Sequence, residues 1–318
     1  MTALLHATTL QATALAGPTG NLVDDVRRML ALHFMVNAFR AGAVAAVLGA
    51  VIGWFMVLRR QSFVGHTLAV VSFPGAAAAI WLGLSATAGY FAGSIAAALV
   101  IALVPRTLSG RAGSQESAVI GTVQAFALAA GALFVSLYGG FLDSVTGLLF
   151  GSFLGVSDAQ VVALVIVAVV VLAAMAVLAR PLFFATIDRD VASARGVPTR
   201  WLSVAFLVVL GCTAAEVSQI TGALLVFALL VMSAAAAQQL TARPVLGLCL
   251  SVGLGLAVVW AALGVAFYST WPVGFFVSTF GFAVYVVAAG IRLVRTRGRR
   301  PAGGWLTGRI GATGTAPA

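Results

Sequence analysis

Few side chains in the long apolar stretches of this sequence can ionise or bind a ligand. His66 and Glu216 carry the only imidazole and carboxylate that fall within predicted membrane spans. Ionisable groups in such spans usually face a cavity or a path, since burying them in lipid is costly. Plainer interpretations stay open: His66 could meet water or backbone near a helix end, and Glu216 could extend its carboxylate to the membrane surface.

Three further residues form a candidate polar path with these two. Pro74 is followed by Gly75 inside an apolar run, which predicts a kinked or broken helix and a common place for a gate. Gln219 lies near Glu216, at the junction of two predicted spans. The candidate path is His66, Ser72, Pro74, Glu216 and Gln219, and His66 is the one candidate metal ligand among them.

The longest charged interruption, Pro181 to Trp201, predicts a very short helix. Asp188 is a good amino-terminal cap, and Asp190 adds a negative charge to the first turn. Gly196 takes a terminating position and Pro198 blocks continuation of the helix. The sequence therefore marks both ends of a helix within about 188–198.

So short a helix needs support, because isolated helices under about 12–15 residues are marginal in water. Neighbouring spans could hold one side of it. On the other side, Val191, Ala194 and Arg195 form a small face at helical spacing that could enter a groove of a cytoplasmic protein. A plain connector between two spans is the alternative.

Motifs typical of enzymes are missing from the sequence. It has no His-Glu-x-x-His, no Gly-x-Ser-x-Gly and no Gly-x-x-x-x-Gly-Lys, and it contains no lysine at all. We therefore predict that the chain is not an enzyme, has no catalytic residues and binds no cofactor itself. Any ATP-driven process needs ATP and Mg²⁺ on a separate subunit.

Composition indicates a membrane protein built of helices. The 318 residues are 62% hydrophobic and 8% charged, with a mean hydropathy of +1.11, whereas ordinary soluble domains carry about 25% charged residues. The apolar runs are continuous, which is typical of spanning helices. The net charge of +10 does not indicate nucleic acid, because the arginines flank apolar runs and fit a lipid environment.

The apolar runs predict eight or nine spans. The sixth and seventh are separated only by Ser218 and Gln219, so they are either a tight hairpin or a broken pair. The predicted spans are 38–58, 63–84, 88–104, 117–138, 159–179, 201–217, 220–237, 244–268 and 272–292. They form a membrane domain over 38–295, between a pre-membrane segment at 1–37 and a basic tail at 296–318 that we expect to be disordered.

Arginine placement orients these spans in a cell membrane. Cytoplasmic loops carry an excess of basic residues, and most arginines fall on one side if the first span ends inside. The amino terminus is then outside and the carboxyl terminus cytoplasmic. One outer segment, 142–160, is too short to span yet contains an apolar patch, so a short re-entrant helix and a surface loop are both compatible with it.

Six stretches together resemble the permease subunits of ABC importers of the manganese, zinc and iron type. The spacing of Asp188, Ala192 and Gly196-Val197-Pro198 is similar to the helix by which these permeases dock onto their ATPase. The others lie in the family's order along residues 35–295. They are MVLRRQSFVGHTLAVVSFPGAAAA, QESAVIG, LDSVTGLLFGSFLGVSDAQ, ITGALLVFALLVMSAAAA and WPVGFFVSTF.

The resemblance implies an all-α polytopic permease of the type II ABC-importer kind with a cytoplasmic coupling helix. It implies a cytoplasmic ATPase subunit, a second permease copy and an extracytoplasmic binding protein as partners, with import of a divalent transition metal. Together with the capping and face residues described above, it predicts a set of ATPase-coupling residues on or beside the short helix. They are Asp188, Asp190, Val191, Ala192, Ala194, Arg195, Gly196 and Pro198.

One departure bears on the substrate. The family places an Asp and a His four residues apart on a spanning helix, where they are thought to meet the metal; this sequence has His66 and Val70 instead. Divalent metals need several nitrogen or oxygen ligands, so a chelated metal or another small solute stays open. An ion-coupled secondary transporter is a further alternative, although no clear internal repeat supports it.

Overall fold

The computed structural model describes residues 21–103, 112–138, 151, 153–223 and 225–297. Its regular structure within these residues is helical, as the sequence predicts. The α-helices, in chain order, are α1 (Leu22–Leu30), α2 (His33–Leu58), α3 (Ser62–Trp81), α4 (Ala86–Leu103), α5 (Ala112–Tyr138), α6 (Asp158–Ile187), α7 (Arg189–Ala194), α8 (Thr199–Thr221), α9 (Ser233–Leu240), α10 (Pro244–Phe267) and α11 (Val273–Arg297). A 3₁₀ turn, Phe153–Gly155, precedes α6, and a π-helix, Ala228–Met232, runs directly into α9.

Eight described helices are long and apolar enough to cross a membrane: α2, α3, α4, α5, α6, α8, α10 and α11. The lower of the two predicted span numbers is thus confirmed. The predicted seventh span becomes the shorter apolar helix Ala228–Leu240. The predicted break at Ser218 and Gln219 is wrong, because α8 continues through both residues to Thr221.

The break lies instead at Gly222. Its φ of 77° and ψ of 152° fall in a backbone region that is essentially restricted to glycine. Its amide still donates to the Ser218 carbonyl at 2.9 Å, so α8 is capped before the chain turns. A glycine conformation, rather than a polar pair, separates the two apolar helices.

The structure describes part of the predicted pre-membrane segment and the first two residues of the predicted tail. Residues 21–37, predicted as pre-membrane, contain α1 and the first residues of α2. The Asn21 side chain caps α1 by accepting from the Val23 amide. The predicted tail at 296–318 lies outside the described residues from 298 onward.

Contacts between helix ends show that α2 and α6 run in the same direction and that α8 runs in the opposite one. At one end of the bundle, Arg59 after α2 reaches the end of α6 and the start of α8. At the other end, His33 at the start of α2 contacts Asp158 at the start of α6, with 2.9 Å between Nε2 and Oδ2. The Arg59 end, which we call the arginine end, also holds α7.

The centre of the bundle is formed by α2, α3 and α8, whose spanning residues are mostly buried. Small residues let these helices approach their neighbours closely. A side-chain carbon added at Gly75 would overlap the backbone of Gly89 and Gly93 in α4. In contrast, α5, α6 and α11 present most of their apolar side chains outward, as helices that face lipid do.

Candidate functional site: the coupling surface and the α3–α8 contact

The short charged helix predicted at 188–198 is present as α7, and its ends are those that the sequence marks. Asp188 Oδ1 accepts a hydrogen bond from the Val191 amide at 2.9 Å. Gly196 has a φ of 80°, and the next amide, Val197, donates to the Ala192 carbonyl at 3.0 Å. Those bonds satisfy backbone groups that a free helix end would leave unpaired.

Most of the predicted coupling residues are exposed at the arginine end. Val191 is 43% exposed, and Ala194 and Arg195 are exposed as well. We define the coupling surface as the exposed members of the predicted set: Asp188, Asp190, Val191, Ala194, Arg195, Gly196 and Pro198.

Ala192 is the exception within the predicted set. It has no exposed surface and lies on the side of α7 that packs against α6 and α8. Because a buried methyl group cannot touch a second protein, Ala192 holds the helix in place and is not a contact residue. The prediction that Ala192 takes part in coupling can then apply only through its packing beneath α7.

Two large apolar residues beside α7 were missed by the sequence reasoning. Ile187 is 70% exposed and Trp201 is 74% exposed. They flank the coupling surface, at the end of α6 and the start of α8. The signal available in the sequence was the position of Trp201 directly after a charged residue at a helix start.

The candidate path residues lie on two different faces of α3 and α8. The Ser72 hydroxyl is hydrogen-bonded to the Ser218 hydroxyl at 3.0 Å, and both residues are fully buried. Gln219 Oε1 accepts from the Thr87 hydroxyl at 2.9 Å. Ser72 and Gln219 therefore join α8 to α3 and α4.

Pro74 lies inside α3, which continues through it. Its ring packs against Gly131 of α5, where an added side-chain carbon would come within 2.9 Å of the proline. The helix α3 is therefore continuous at Pro74, and the predicted break of the helix does not occur there.

His66 lies apart from the serine pair. Its ring meets Phe227 edge-on with centroids 5.2 Å apart, and its buried Nδ1 atom has no hydrogen-bond partner among the described residues. Val70, one turn further on, is 4% exposed. His66 therefore lies beside the segment that follows Gly222. Val70 occupies the position one turn away where a second metal ligand would be.

Glu216 is 1% exposed, and its Oε1 atom has no hydrogen-bond partner in the described part of the chain. A carboxylate in that environment is costly unless a proton or a cation neutralises it. Of the alternatives left open for Glu216, the one in which its carboxylate extends to the membrane surface does not agree with this burial. No described group of three or more His, Cys, Asp and Glu side chains could hold a metal ion.

The outer segment 142–160 is described only from Gly151 onward, with Ser152 omitted. Gly151 packs so closely on the backbone of Ile220 to Gly222 that any side chain there would overlap it. The following turn, Phe153–Gly155, contacts α2. The predictions for 142–150 lie outside the described residues.

Comparison with known proteins decides the family. Residues 31–292 match the profile of the ABC 3 transport family. The chain belongs to the ABC 3 transport family. It is a multi-pass membrane permease of that family, which confirms the resemblance that its motifs indicate.

Relatives of this permease carry transport names. It is 27% identical over 247 residues to the manganese transport system membrane protein MntC of Halalkalibacterium halodurans, covering 78% of this chain and 82% of that protein. It is 28% identical over 258 residues to the chelated iron transport system membrane protein YfeC of Yersinia pestis, covering 80% and 85%.

A solved structure shares the fold. PsaBC from Streptococcus pneumoniae, determined in complex with a Fab, superposes with a TM-score of 0.75 at 20% identity, covering 84% of this permease and 95% of that chain. The two chains therefore share an all-helical fold.

Proposed function

We propose that this permease is the membrane subunit of an ATP-driven importer for a divalent transition metal. The observation that carries the proposal is the family match over residues 31–292. The short exposed helix α7 supports it, since such a helix offers a site at which an ATPase can act on the membrane domain. The names of the relatives, manganese and chelated iron transport, support a metal substrate.

In this proposal a cytoplasmic ATPase subunit binds the coupling surface. The exposed Val191 would enter a groove on that subunit, with Ile187 and Trp201 at its rim. ATP and Mg²⁺ are used by the ATPase, because this chain has no lysine and no phosphate-binding loop. A second permease copy would complete the pathway at the dimer axis.

The orientation that fits this assembly places the arginine end in the cytoplasm. Basic residues are retained on the cytoplasmic side, and the described arginines near α7 are Arg59, Arg60, Arg180, Arg189, Arg195 and Arg200. The opposite end, with the His33–Asp158 pair, would then receive an extracytoplasmic binding protein that delivers the metal.

A chelated metal is the second candidate substrate, and one observation favours it. His66 has Val70 rather than a second ligand on its face of α3, so a bare ion would find few donors there. A metal that arrives with its own ligands needs fewer from the protein. Glu216 and His66 are the two side chains that we expect such a cargo to meet.

Reconstitution tests the function directly. The permease is purified together with the ATPase that co-purifies with it and placed in proteoliposomes, and ATP-dependent uptake of ⁵⁴Mn, ⁶⁵Zn and ⁵⁵Fe is measured with and without a chelator. Uptake of a free ion supports the first substrate, and uptake only with the chelator supports the second. Uptake driven by a proton gradient without ATP would refute the importer and favour a secondary transporter.

A further inference from the structure

Arg59 connects the end of α2 to both helices that flank the coupling helix. Its Nη1 donates to the Thr186 hydroxyl in α6 at 3.3 Å, and its Nη2 donates to the Ser203 hydroxyl in α8 at 3.1 Å. The third nitrogen, Nε, donates to Gln61 Oε1 at 3.1 Å. A guanidinium can do this because its donors form a rigid planar fork.

The two hydroxyls are oriented to accept from Arg59. Thr186 donates to the Leu182 carbonyl at 2.6 Å, and Ser203 donates to the Thr199 carbonyl at 2.9 Å. Since a hydroxyl has one proton, both are left with acceptor lone pairs only. These are aimed at a group that can only donate, so the arrangement requires a hydrogen-bond donor at this place.

The contacts lie next to α7 on both sides. Thr186 is two residues before the capping residue Asp188, and Ser203 is four residues into α8. The guanidinium also lies 5.3 Å from the ring centroid of Phe206, a cation–π distance. A displacement of α7 that carries the end of α6 or the start of α8 with it would therefore move or break bonds to Arg59.

From Arg59, α2 leads to the middle of the bundle. A side-chain carbon at Gly53 would overlap the Leu230 carbonyl, and one at Gly49 would touch Leu229 at 3.7 Å. Both leucines belong to the π-helix Ala228–Met232. Phe227 is the residue before that π-helix, and its ring contacts the ring of His66 with 5.2 Å between the centroids.

We propose that Arg59 is a positioning residue that transmits displacement of the coupling helix α7 to α2. Through α2, the displacement reaches the segment after Gly222, which contains the π-helix and lies beside His66. The proposal rests on the proposed function, because it needs an ATPase that displaces α7. It assigns to one side chain the mechanical link between the coupling surface and the segment that follows Gly222.

Substitutions at Arg59 separate this role from a general need for positive charge. Arg59→Lys keeps the charge but cannot donate to both hydroxyls with one compact ammonium group, and Arg59→Gln removes the charge. Arg60→Gln is the matched control, because the exposed Arg60 side chain forms none of these bonds. Each variant is purified with the ATPase and reconstituted, and ATPase binding, ATP hydrolysis and ⁵⁴Mn, ⁶⁵Zn or ⁵⁵Fe uptake are measured.

We expect Arg59→Lys and Arg59→Gln to bind the ATPase within about twofold of wild type and to hydrolyse ATP. The uptake per ATP hydrolysed should fall at least tenfold in both, and it should be unchanged in Arg60→Gln. Full uptake per ATP in Arg59→Lys would overturn the proposal, since charge alone would then suffice. Equal losses in all three variants would also overturn it.

Failure of the proposed function is recognised separately, because the wild-type permease would then bind no ATPase. In that case the link is tested on the permease alone by hydrogen exchange over residues 187–201. Faster exchange in Arg59→Lys, with none in Arg60→Gln, supports the link between Arg59 and α7. Exchange equal to wild type in both would refute it.

Discussion

Replacement of the capping residue Asp188 tests how α7 is stabilised. Asp188 Oδ1 accepts from the Val191 amide at 2.9 Å, and α7 is only six residues long. Loss of an amino-terminal cap costs about 1 kcal/mol. Because about 1.4 kcal/mol corresponds to a tenfold change in an equilibrium, Asp188→Ala should raise the open population of α7 about fivefold.

Hydrogen-exchange mass spectrometry of the purified permease measures this population. The informative amides are those of Ala192 and Val197, which donate to the Asp188 and Ala192 carbonyls at 3.1 and 3.0 Å. Their exchange should accelerate about fivefold in Asp188→Ala, while amides in the middle of α8 keep their wild-type rates. The ATPase should bind correspondingly less tightly, by up to the same factor, since binding requires the ordered helix.

Asp188→Asn is the matched control. Asparagine caps a helix about as well as aspartate, and only the favourable interaction of the charge with the helix dipole is lost. Its exchange should therefore stay within about twofold of wild type. Unchanged exchange in Asp188→Ala, or an equal acceleration in Asp188→Asn, would refute the view that the side-chain cap stabilises α7.

Four further substitutions give distinct outcomes. Ala194→Glu should leave thermal unfolding unchanged and weaken ATPase binding at least tenfold. Ala192→Glu should destabilise α7 itself, because it buries a carboxylate without a partner. Equal effects of the two substitutions would argue against the coupling surface as defined. Gly53→Ala should destabilise the permease by about 1–3 kcal/mol in thermal unfolding, since the added carbon overlaps the Leu230 carbonyl, and wild-type stability would contradict that packing. Gly222→Ala should cost about 1–3 kcal/mol because of its backbone conformation, and an unaltered melting temperature would show that the break does not need glycine.

Features that depend on local sequence were predicted well. The spanning helices follow from apolar runs of sufficient length, and α7 follows from Asp188, Gly196 and Pro198, because caps and terminators act on their nearest backbone neighbours. The motifs in family order led to the family that the profile match then confirmed. Each of these inferences needs only residues close together along the chain.

Features that depend on contacts between distant residues were not predicted. Ser72 was a candidate path residue, but its partner Ser218 lies 146 positions later, and their contact places Ser72 in a helix interface. The break between the sixth and seventh apolar runs was assigned to a polar pair, while the structure places it at Gly222. A polar residue at a helix end and one in a helix interface look alike in sequence, because the difference lies in what they touch.

Composition, run length and capping are enough to predict an apolar helical membrane protein with a short capped helix among its arginines, since they act locally. The exposed face of α7, the burial of Ala192 and the contacts of Arg59 with α6 and α8 follow only from the packing of the helices. These facts depend on three helices meeting at one place, and residues 59, 186 and 203 become neighbours only when the bundle has formed.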